Sequence, residues 1–260
     1  MGGAERAERK RKQQAAQTAK AASAAHQDRG SRRGAVGVVV IVVLAVFVGG
    51  GMWLQQSSDS GALPATIPVA APGPVYQVAA EGDAVQIGKP NAPVAIDVYE
   101  DFLCSGCGQL EQLYGGQLED AAAAGQARVV YHPVAILDDY STPAGYSTLA
   151  AGAALCAAEA GVFPRFHDSL FDTQPRGAGG PAWTSAQLLQ LGSALGAGDD
   201  FMRCVQGDHE RVADATDQAR QYLSARRPDG RFGTPTILVN GAVVDTSEPG
   251  WLDDALGAAR

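Results

Sequence analysis

Cysteine and lysine are both scarce in this chain of 260 residues, and each scarcity excludes a class of protein. Four cysteines are too few for a small scaffold held together by many disulfides. Beyond residue 33 there is one lysine, Lys89, and the formal net charge of −8 argues against a nucleic-acid-binding protein. The glycines and prolines follow no period, which excludes collagen. Hydrophobic residues nevertheless make up 46%, the share typical of a globular protein.

The charge is distributed unevenly along the chain. Residues 1–33 hold nine Lys or Arg and three Asp or Glu, whereas residues 34–260 hold 11 and 25. The acidic part begins with Gly34–Leu54, 21 residues without a charge. As a helix this segment would be about 31 Å long, close to the hydrocarbon thickness of a bilayer. The sequence therefore predicts a single transmembrane anchor, with residues 1–33 as a basic cytoplasmic tail and residues 55–260 outside the cytoplasm.

A cleaved signal peptide is the alternative for this segment. Its apolar core would be about 7–15 residues long and would end in small residues of an A-x-A-like pattern. Here the apolar run is longer and Gln55-Gln56-Ser57 follows it, so an uncleaved anchor is favoured. Residues 55–74 contain four prolines and are predicted to be a semi-extended linker to a domain at 75–260.

The pattern of apolar residues in 75–260 predicts an α/β domain. Val94–Tyr99 is typical of a strand, about Gly108–Ala124 of a helix, and Arg128–Leu137 of a second strand that ends or bulges at Pro133. A block of helices at about 143–227 comes next, and then two short strands and a last helix. A βαβ unit and a ββα unit separated by helices indicate a thioredoxin fold with a helical insertion.

Cys104 and Cys107 form a CxxC motif between the first of these strands and its helix. The free N–H groups at a helix N-terminus stabilise a thiolate, which is the form that takes part in disulfide exchange. Half of a zinc site is one alternative, but a second CxxC or an HxxxH is missing, and His132, His167 and His209 show no ligand spacing. A purely structural disulfide is the other alternative. The position of the motif favours redox chemistry, and no metal site is predicted.

Cys156 and Cys204 both lie in the helical block, 48 positions apart. In an oxidising compartment a remaining even pair is usually bridged, so we expect a structural disulfide between them. The chain-entropy model gives such a loop roughly 4 kcal/mol of stabilisation. A regulatory or second redox role is the alternative.

Several segments together resemble the DsbA-like thiol–disulfide oxidoreductases of the thioredoxin superfamily, above all their membrane-anchored actinobacterial members. The resemblance covers about residues 75–260. It rests on the segment around the CxxC motif, on two segments of the insertion and on a Gly-Thr-Pro-Thr sequence: Val94–Gly108, Ala153–Ala157, Phe163–Phe171 and Gly233–Ile237.

This resemblance implies a role for four residues. Cys104 would be the exposed nucleophile and Cys107 the buried resolving thiol. Pro235 would be a cis proline that faces them, and Thr234 would bind an extended substrate chain through its backbone. The cysteine pair is itself the redox couple, so no bound cofactor is implied. The implied partners are reduced or unfolded exported proteins and a quinone-linked membrane protein of the DsbB or VKOR type that reoxidises the pair.

The sequence departs from the family at two points. The dipeptide inside the motif is Ser105-Gly106, without the proline or histidine common in the strong oxidants, which leaves the reduction potential open. Related proteins often carry a buried acid six residues before the first cysteine, where this chain has Val98. Asp97 or Glu100 is a candidate proton relay instead, although strand alternation places Asp97 on the surface. We expect an oxidase of exported proteins; a reductase or isomerase on the same fold, or a non-catalytic chaperone, is the alternative.

Overall fold

The structure of the protein is a computed structural model that describes residues 63–176, 179–207, 209–226 and 230–258. The predicted tail, the predicted anchor Gly34–Leu54 and the first half of the predicted linker lie outside these residues. Within the described ranges, none of the helices has both the length and the apolar character needed to cross a bilayer.

A six-stranded mixed sheet, with strand order β1-β2-β4-β3-β5-β6, forms the centre of the domain. The central strands β3 and β4 are parallel, and the other neighbouring strands are antiparallel. The strands are β1 (Val78–Glu81), β2 (Ala84–Ile87), β3 (Val94–Glu100), β4 (Ala127–Pro133), β5 (Thr236–Val239) and β6 (Ala242–Val243). The parallel pair joined by a helix, followed by the hairpin β5–β6, confirms the predicted α/β class.

Eight α-helices are found in the described residues. They are α1 (Ser105–Leu110), α2 (Gly116–Ala123), α3 (Tyr146–Glu159), α4 (Phe163–Asp172), α5 (Ser185–Ala194), α6 (Asp199–Val205), α7 (Glu210–Ser224) and α8 (Trp251–Gly257). A π-helical turn, Glu111–Gly115, joins α1 to α2 without a break. The helices α3–α7 form the insertion between β4 and β5, as the sequence predicted.

Local sequence explains several of these boundaries. Thr184 caps α5, because its hydroxyl accepts a hydrogen bond from the backbone of Gln187 while the Gln187 side chain binds back to the Thr184 amide. Asn240 and Gly241 both have positive φ angles, 51° and 82°, which suits the two-residue turn of the β5–β6 hairpin. Strand β4 ends at Pro133, where the missing backbone donor interrupts the ladder.

Helix α3 runs through the main hydrophobic core. All its residues from Ala150 to Ala158 are buried, so this part of the helix is covered on every side. Most of these side chains are small, which lets neighbouring elements pack closely around the helix. Bulky side chains surround it, including Phe102, Phe166 and Trp183. A smaller cluster packs α7 against the other face of the sheet, at Tyr99, Leu223 and Leu238. The sheet is therefore covered on both faces. The chain leaves the sheet at the carboxyl end of β3, and α1 begins a few residues later.

Candidate active site

The CxxC motif occupies the first turn of the helix that follows β3. Cys104 is the N-cap of α1 and has an extended backbone, with φ −74° and ψ 113°. The helix begins at Ser105, three residues before the predicted start. Cys104 is half-buried, Cys107 is fully buried, and both are free thiols in this structure. One sulfur can therefore be reached from outside the domain and the other is covered by it.

The surroundings of Cys104 favour its thiolate and lower its pKa to about 5. The largest cause is the hydrogen bond from the Cys107 thiol. Thr234 and the backbone N–H groups of Cys107 and Gly106 add to it and outweigh the opposing effect of burial. The Thr234 hydroxyl oxygen is buried without a hydrogen-bond partner among the described groups, so its proton is available to the sulfur.

Cys107 has the opposite electrostatic character. Burial away from water raises the pKa of its thiol well above the usual value, and the neighbouring Cys104 and Glu100 raise it further. A hydrogen bond from the Asp101 backbone offsets only part of this effect. Two thiols of very different acidity thus lie one helical turn apart.

The loop before β5 packs directly against the motif. The Thr234–Pro235 peptide bond is cis, and the Cys104 Sγ lies 3.3 Å from the Thr234 carbonyl oxygen. A Cβ atom placed on Gly106 would lie 3.0 Å from the Pro235 ring, so the glycine permits this close approach. The structure therefore brings Cys104 and Cys107 of the motif together with Thr234 and Pro235 of the loop. At least 127 positions separate the motif from the loop in the sequence. A second cis bond, Thr142–Pro143, was not expected from the sequence.

Gln174 supports the start of the motif from the insertion. Its amide nitrogen donates hydrogen bonds to the carbonyl oxygens of Phe102 (3.0 Å) and Cys104 (2.9 Å). A Cβ on Gly108 would lie 2.3 Å from the Gln174 amide oxygen, so only glycine leaves space for this side chain. The sequence analysis missed Gln174, since a glutamine just after a helix carries no signal of such a contact.

Asp101 organises the corner between β3 and α1. Its buried carboxylate accepts hydrogen bonds from four groups: the backbone N–H groups of Leu103, Ile136 and Leu137, at 2.8 to 3.1 Å, and the hydroxyl of Ser147, at 2.7 Å. Desolvation raises its pKa to about 6 despite these bonds. The sequence analysis weighed two acids that precede it, Asp97 and Glu100, and missed this one, because most of its partners come from distant segments.

The two candidate relay acids lie in different environments. Asp97 is half-buried and lies 3.1 Å from the ring of His132, which stacks on Tyr99. Asp97 is therefore paired, rather than simply a surface carboxylate as strand alternation suggested. Glu100 is fully buried, and its Oε1 lies 2.9 Å from His167 Nε2. Of the two acids, Glu100 is the one whose charge acts on Cys107.

Cys156 and Cys204 form a disulfide between α3 and α6. The Arg211 guanidinium lies 3.5 Å from both sulfurs and also binds the Glu159 carboxylate at 2.6 Å. Cys156 is buried, and the bridge joins two helices of the insertion.

Comparison with known proteins supports the interpretation of this site. The family model described as Thioredoxin matches residues 80–256. The serine/threonine-protein kinase PknE of Mycobacterium tuberculosis is 29% identical over 180 residues, 67% of this chain and 32% of the kinase. The chain thus spans about a third of the length of that relative.

Two solved structures share the fold at a similar level of identity. The disulfide bond oxidoreductase DsbG of Mycobacterium tuberculosis is 29% identical, with a TM-score of 0.57 over 68% of this chain and 88% of its own. Reduced DsbA of the same species is 28% identical, with a TM-score of 0.55 over 69% of this chain and 100% of its own.

Proposed function

Because this chain belongs to the thioredoxin family, we propose that it is a protein thiol–disulfide oxidoreductase that oxidises cysteine pairs in other proteins. The observation that carries this proposal is the asymmetry of the motif: the pKa of Cys104 is lowered to about 5, whereas burial raises that of Cys107. The DsbG and DsbA structures, which share the fold, support the assignment to this chemistry.

Oxidation begins with the Cys104–Cys107 pair as a disulfide. A substrate thiolate attacks Cys104 Sγ, which is the more exposed sulfur, and the bond to Cys107 breaks. Cys107 leaves as a thiolate and takes up a proton, because its pKa is raised by burial. The products of this step are a mixed disulfide between substrate and Cys104 and a neutral Cys107 thiol.

The second substrate thiolate then attacks the substrate sulfur of the mixed disulfide. Cys104 leaves as a thiolate, and its low pKa makes it a good leaving group at neutral pH. Two electrons pass from the substrate to the cysteine pair. Of the two substrate protons, one remains on Cys107 and the other is released to water.

Thr234 and Pro235 are proposed to bind the substrate chain beside the motif. The Thr234 carbonyl oxygen lies next to Cys104 Sγ, so an extended peptide that reaches this sulfur passes along the same loop. Main-chain hydrogen bonding of this kind gives affinity without requiring a particular substrate sequence.

Three further points complete the proposal. The substrates are exported proteins, and Gly34–Leu54 is a single-pass membrane anchor. A quinone-linked membrane protein of the DsbB or VKOR type reoxidises the cysteine pair. The sequence supports the anchor through its length, its lack of charge and the basic residues before it. An anchor would keep the domain close both to emerging substrates and to a membrane oxidant. The Cys156–Cys204 bridge has a structural role in this proposal.

The reduction potential of the Cys104–Cys107 pair tests the direction of electron flow. Full-length protein is equilibrated in glutathione buffers and its thiols are trapped and counted by mass spectrometry. A value near about −120 mV, as in DsbA, supports the oxidase, whereas a value near about −270 mV, as in thioredoxin, indicates a reductase. Cys104→Ala distinguishes catalysis from a chaperone role, since a chaperone retains full function in this variant.

A further inference from the structure

A cluster of two buried residues, Glu100 and His167, and the half-buried Glu111 lies beside the active-site helix and outside the proposed redox chemistry. One potential donor atom from each side chain lies within 4.8 Å of the other two. We propose that these three residues bind one divalent transition-metal ion of the zinc class. The proposal goes beyond the oxidoreductase function, and neither depends on the other.

The three donors come from three different elements that the fold brings together. Glu100 is the last residue of β3, Glu111 is the first residue of the π-helical turn, and His167 lies in the middle of α4. His167 Nε2 faces Glu100, and its Nδ1 lies 3.4 Å from Asp168. A metal-binding histidine typically directs its other ring nitrogen at a carboxylate, as His167 Nδ1 is directed at Asp168, which leaves Nε2 as the donor to the ion.

Two carboxylate oxygens of the cluster lack a hydrogen-bond partner in the described part of the chain. They are Oε2 of Glu100, a residue with 0% exposure, and Oε1 of Glu111. A buried carboxylate oxygen without a donor costs free energy, and two such groups side by side repel each other. A cation between the two carboxylates would interact favourably with both of these oxygens. The His167 imidazole contacts Oε1 of Glu100 and so leaves both of them without a partner.

An acidic cavity of about 250 Å³ lies beside Glu111, one member of the cluster. Glu111 lines it, together with Glu119, Asp168 and Asp172, and none of its described lining residues is Lys or Arg. A Cβ on Gly115 would lie 2.5 Å from Glu111 Oε2, so this glycine makes room for the carboxylate. π-Helical turns occur frequently at functional sites, and this one sets the position of Glu111.

The donor set selects the class of metal. One imidazole nitrogen with two carboxylates is a combination found at zinc sites, where three protein ligands leave a fourth position to water. Mg²⁺ and Ca²⁺ prefer oxygen ligands throughout, so the histidine disfavours them. The cavity beside Glu111 supplies the space for the water.

The test is a calorimetric titration of full-length, chelator-stripped protein with zinc sulfate. The protein is used in its oxidised form, in which the CxxC sulfurs are bonded to each other and do not bind the metal. We expect one ion per chain and a rise in the melting temperature with zinc concentration. Glu111→Gln, which keeps the size of the side chain, should weaken binding by at least about tenfold.

Asp172→Asn is the matched control, because it removes one carboxylate charge from the same cavity without removing a donor. We expect its affinity to stay within about twofold of the unmodified protein, since an exposed charge contributes little. No binding, or binding that Glu111→Gln leaves unchanged, would overturn the proposal.

X-ray absorption on the zinc-loaded protein gives a second test that needs no variant. Nitrogen and oxygen ligands at about 2.0–2.2 Å, with an imidazole signature, support the site. Sulfur ligands at about 2.3 Å would place the ion on cysteine instead and overturn it.

Discussion

The sulfur of Cys104 lies 3.3 Å from the carbonyl oxygen of Thr234, 130 positions later in the chain. This contact joins the start of helix α1 to the loop that precedes β5. It places the thiol with the lowered pKa beside the backbone of the loop that is proposed to bind the substrate chain. The reactive sulfur and the proposed substrate-binding loop are therefore parts of one surface.

The pH dependence of alkylation tests the acidity of Cys104. Only the thiolate reacts, so the rate with iodoacetamide should rise with pH, inflect near about 5 and level off above it. Cys107 should react far more slowly over this range, because burial raises its pKa and covers its sulfur. The measurement is the alkylated fraction of each cysteine by peptide mass spectrometry. An inflection near the ordinary thiol value of about 8.5 would contradict the assignment.

Gly106→Ala tests the close packing between the motif and the loop. The added methyl group would lie 3.0 Å from the Pro235 ring, so the ring must move by a few tenths of an ångström, whereas its 3.7 Å separation from Cys104 Sγ is an ordinary contact. We expect a higher Cys104 pKa and slower oxidation of a reduced substrate protein, measured by thiolate absorbance and by thiol trapping. Gly116→Ala is the control, since a Cβ there contacts nothing and alanine favours the helix. Equal behaviour of the two variants would show that the packing has no effect.

Gln174→Ala tests the support that the insertion gives to the motif. It removes two hydrogen bonds to the carbonyl oxygens of Phe102 and Cys104, and we expect a loss of about 1–2 kcal/mol in the free energy of unfolding. Urea denaturation measures this loss. Gln117→Ala, whose exposed side chain binds only a carbonyl of its own helix, should cost clearly less. A loss no larger than that of the control would show that Gln174 is dispensable.

Asp101→Asn tests the corner between β3 and α1. The asparagine amide oxygen can accept hydrogen bonds from only some of the four donors that face the carboxylate. The amide N–H₂ group then points at the remaining donors and cannot accept from them. We expect a loss of about 2–3 kcal/mol in the free energy of unfolding, measured by urea denaturation at neutral pH. Asp253→Asn, at an exposed site in α8, provides the reference for removing one negative charge. Similar stabilities of the two variants would contradict the role given to Asp101.

Replacing both Cys156 and Cys204 with alanine tests the structural role of the second disulfide. The bridge closes a loop of 48 positions, and we expect a loss of about 2–4 kcal/mol of stability by denaturant unfolding. The rate of substrate oxidation by folded protein should stay close to that of the unmodified chain. A large change in reduction potential or rate, with stability unaltered, would indicate a redox role for the pair instead.

Prediction from sequence succeeded where a property is carried by neighbouring residues. The apolar strand pattern at Val94–Glu100 and the CxxC motif after it fixed the place of the first βα unit, although α1 begins at Ser105 rather than near Gly108. The helix start was placed too late because the motif's small and polar residues carry little apolar periodicity.

Contacts between distant segments could not be predicted in this way. Gln174, Asp101 and Glu111 each have partners between 35 and 72 positions away, and neither spacing nor composition indicates such pairs. The histidines likewise lack ligand spacing along the chain, yet His167 meets two glutamates from other elements. Their positions follow from how α4 packs against the end of β3.

The sequence by itself determined that this chain holds an α/β domain with a helical insertion and a reactive cysteine pair at a helix start. These properties depend on local periodicity and on the chemistry of adjacent residues. Only the tertiary structure decided how strongly the acidities of the two thiols differ and which acids are buried, because both depend on the dielectric surroundings and on hydrogen-bond donors from remote segments. The low pKa of Cys104 and the Glu100–Glu111–His167 cluster are consequences of folding.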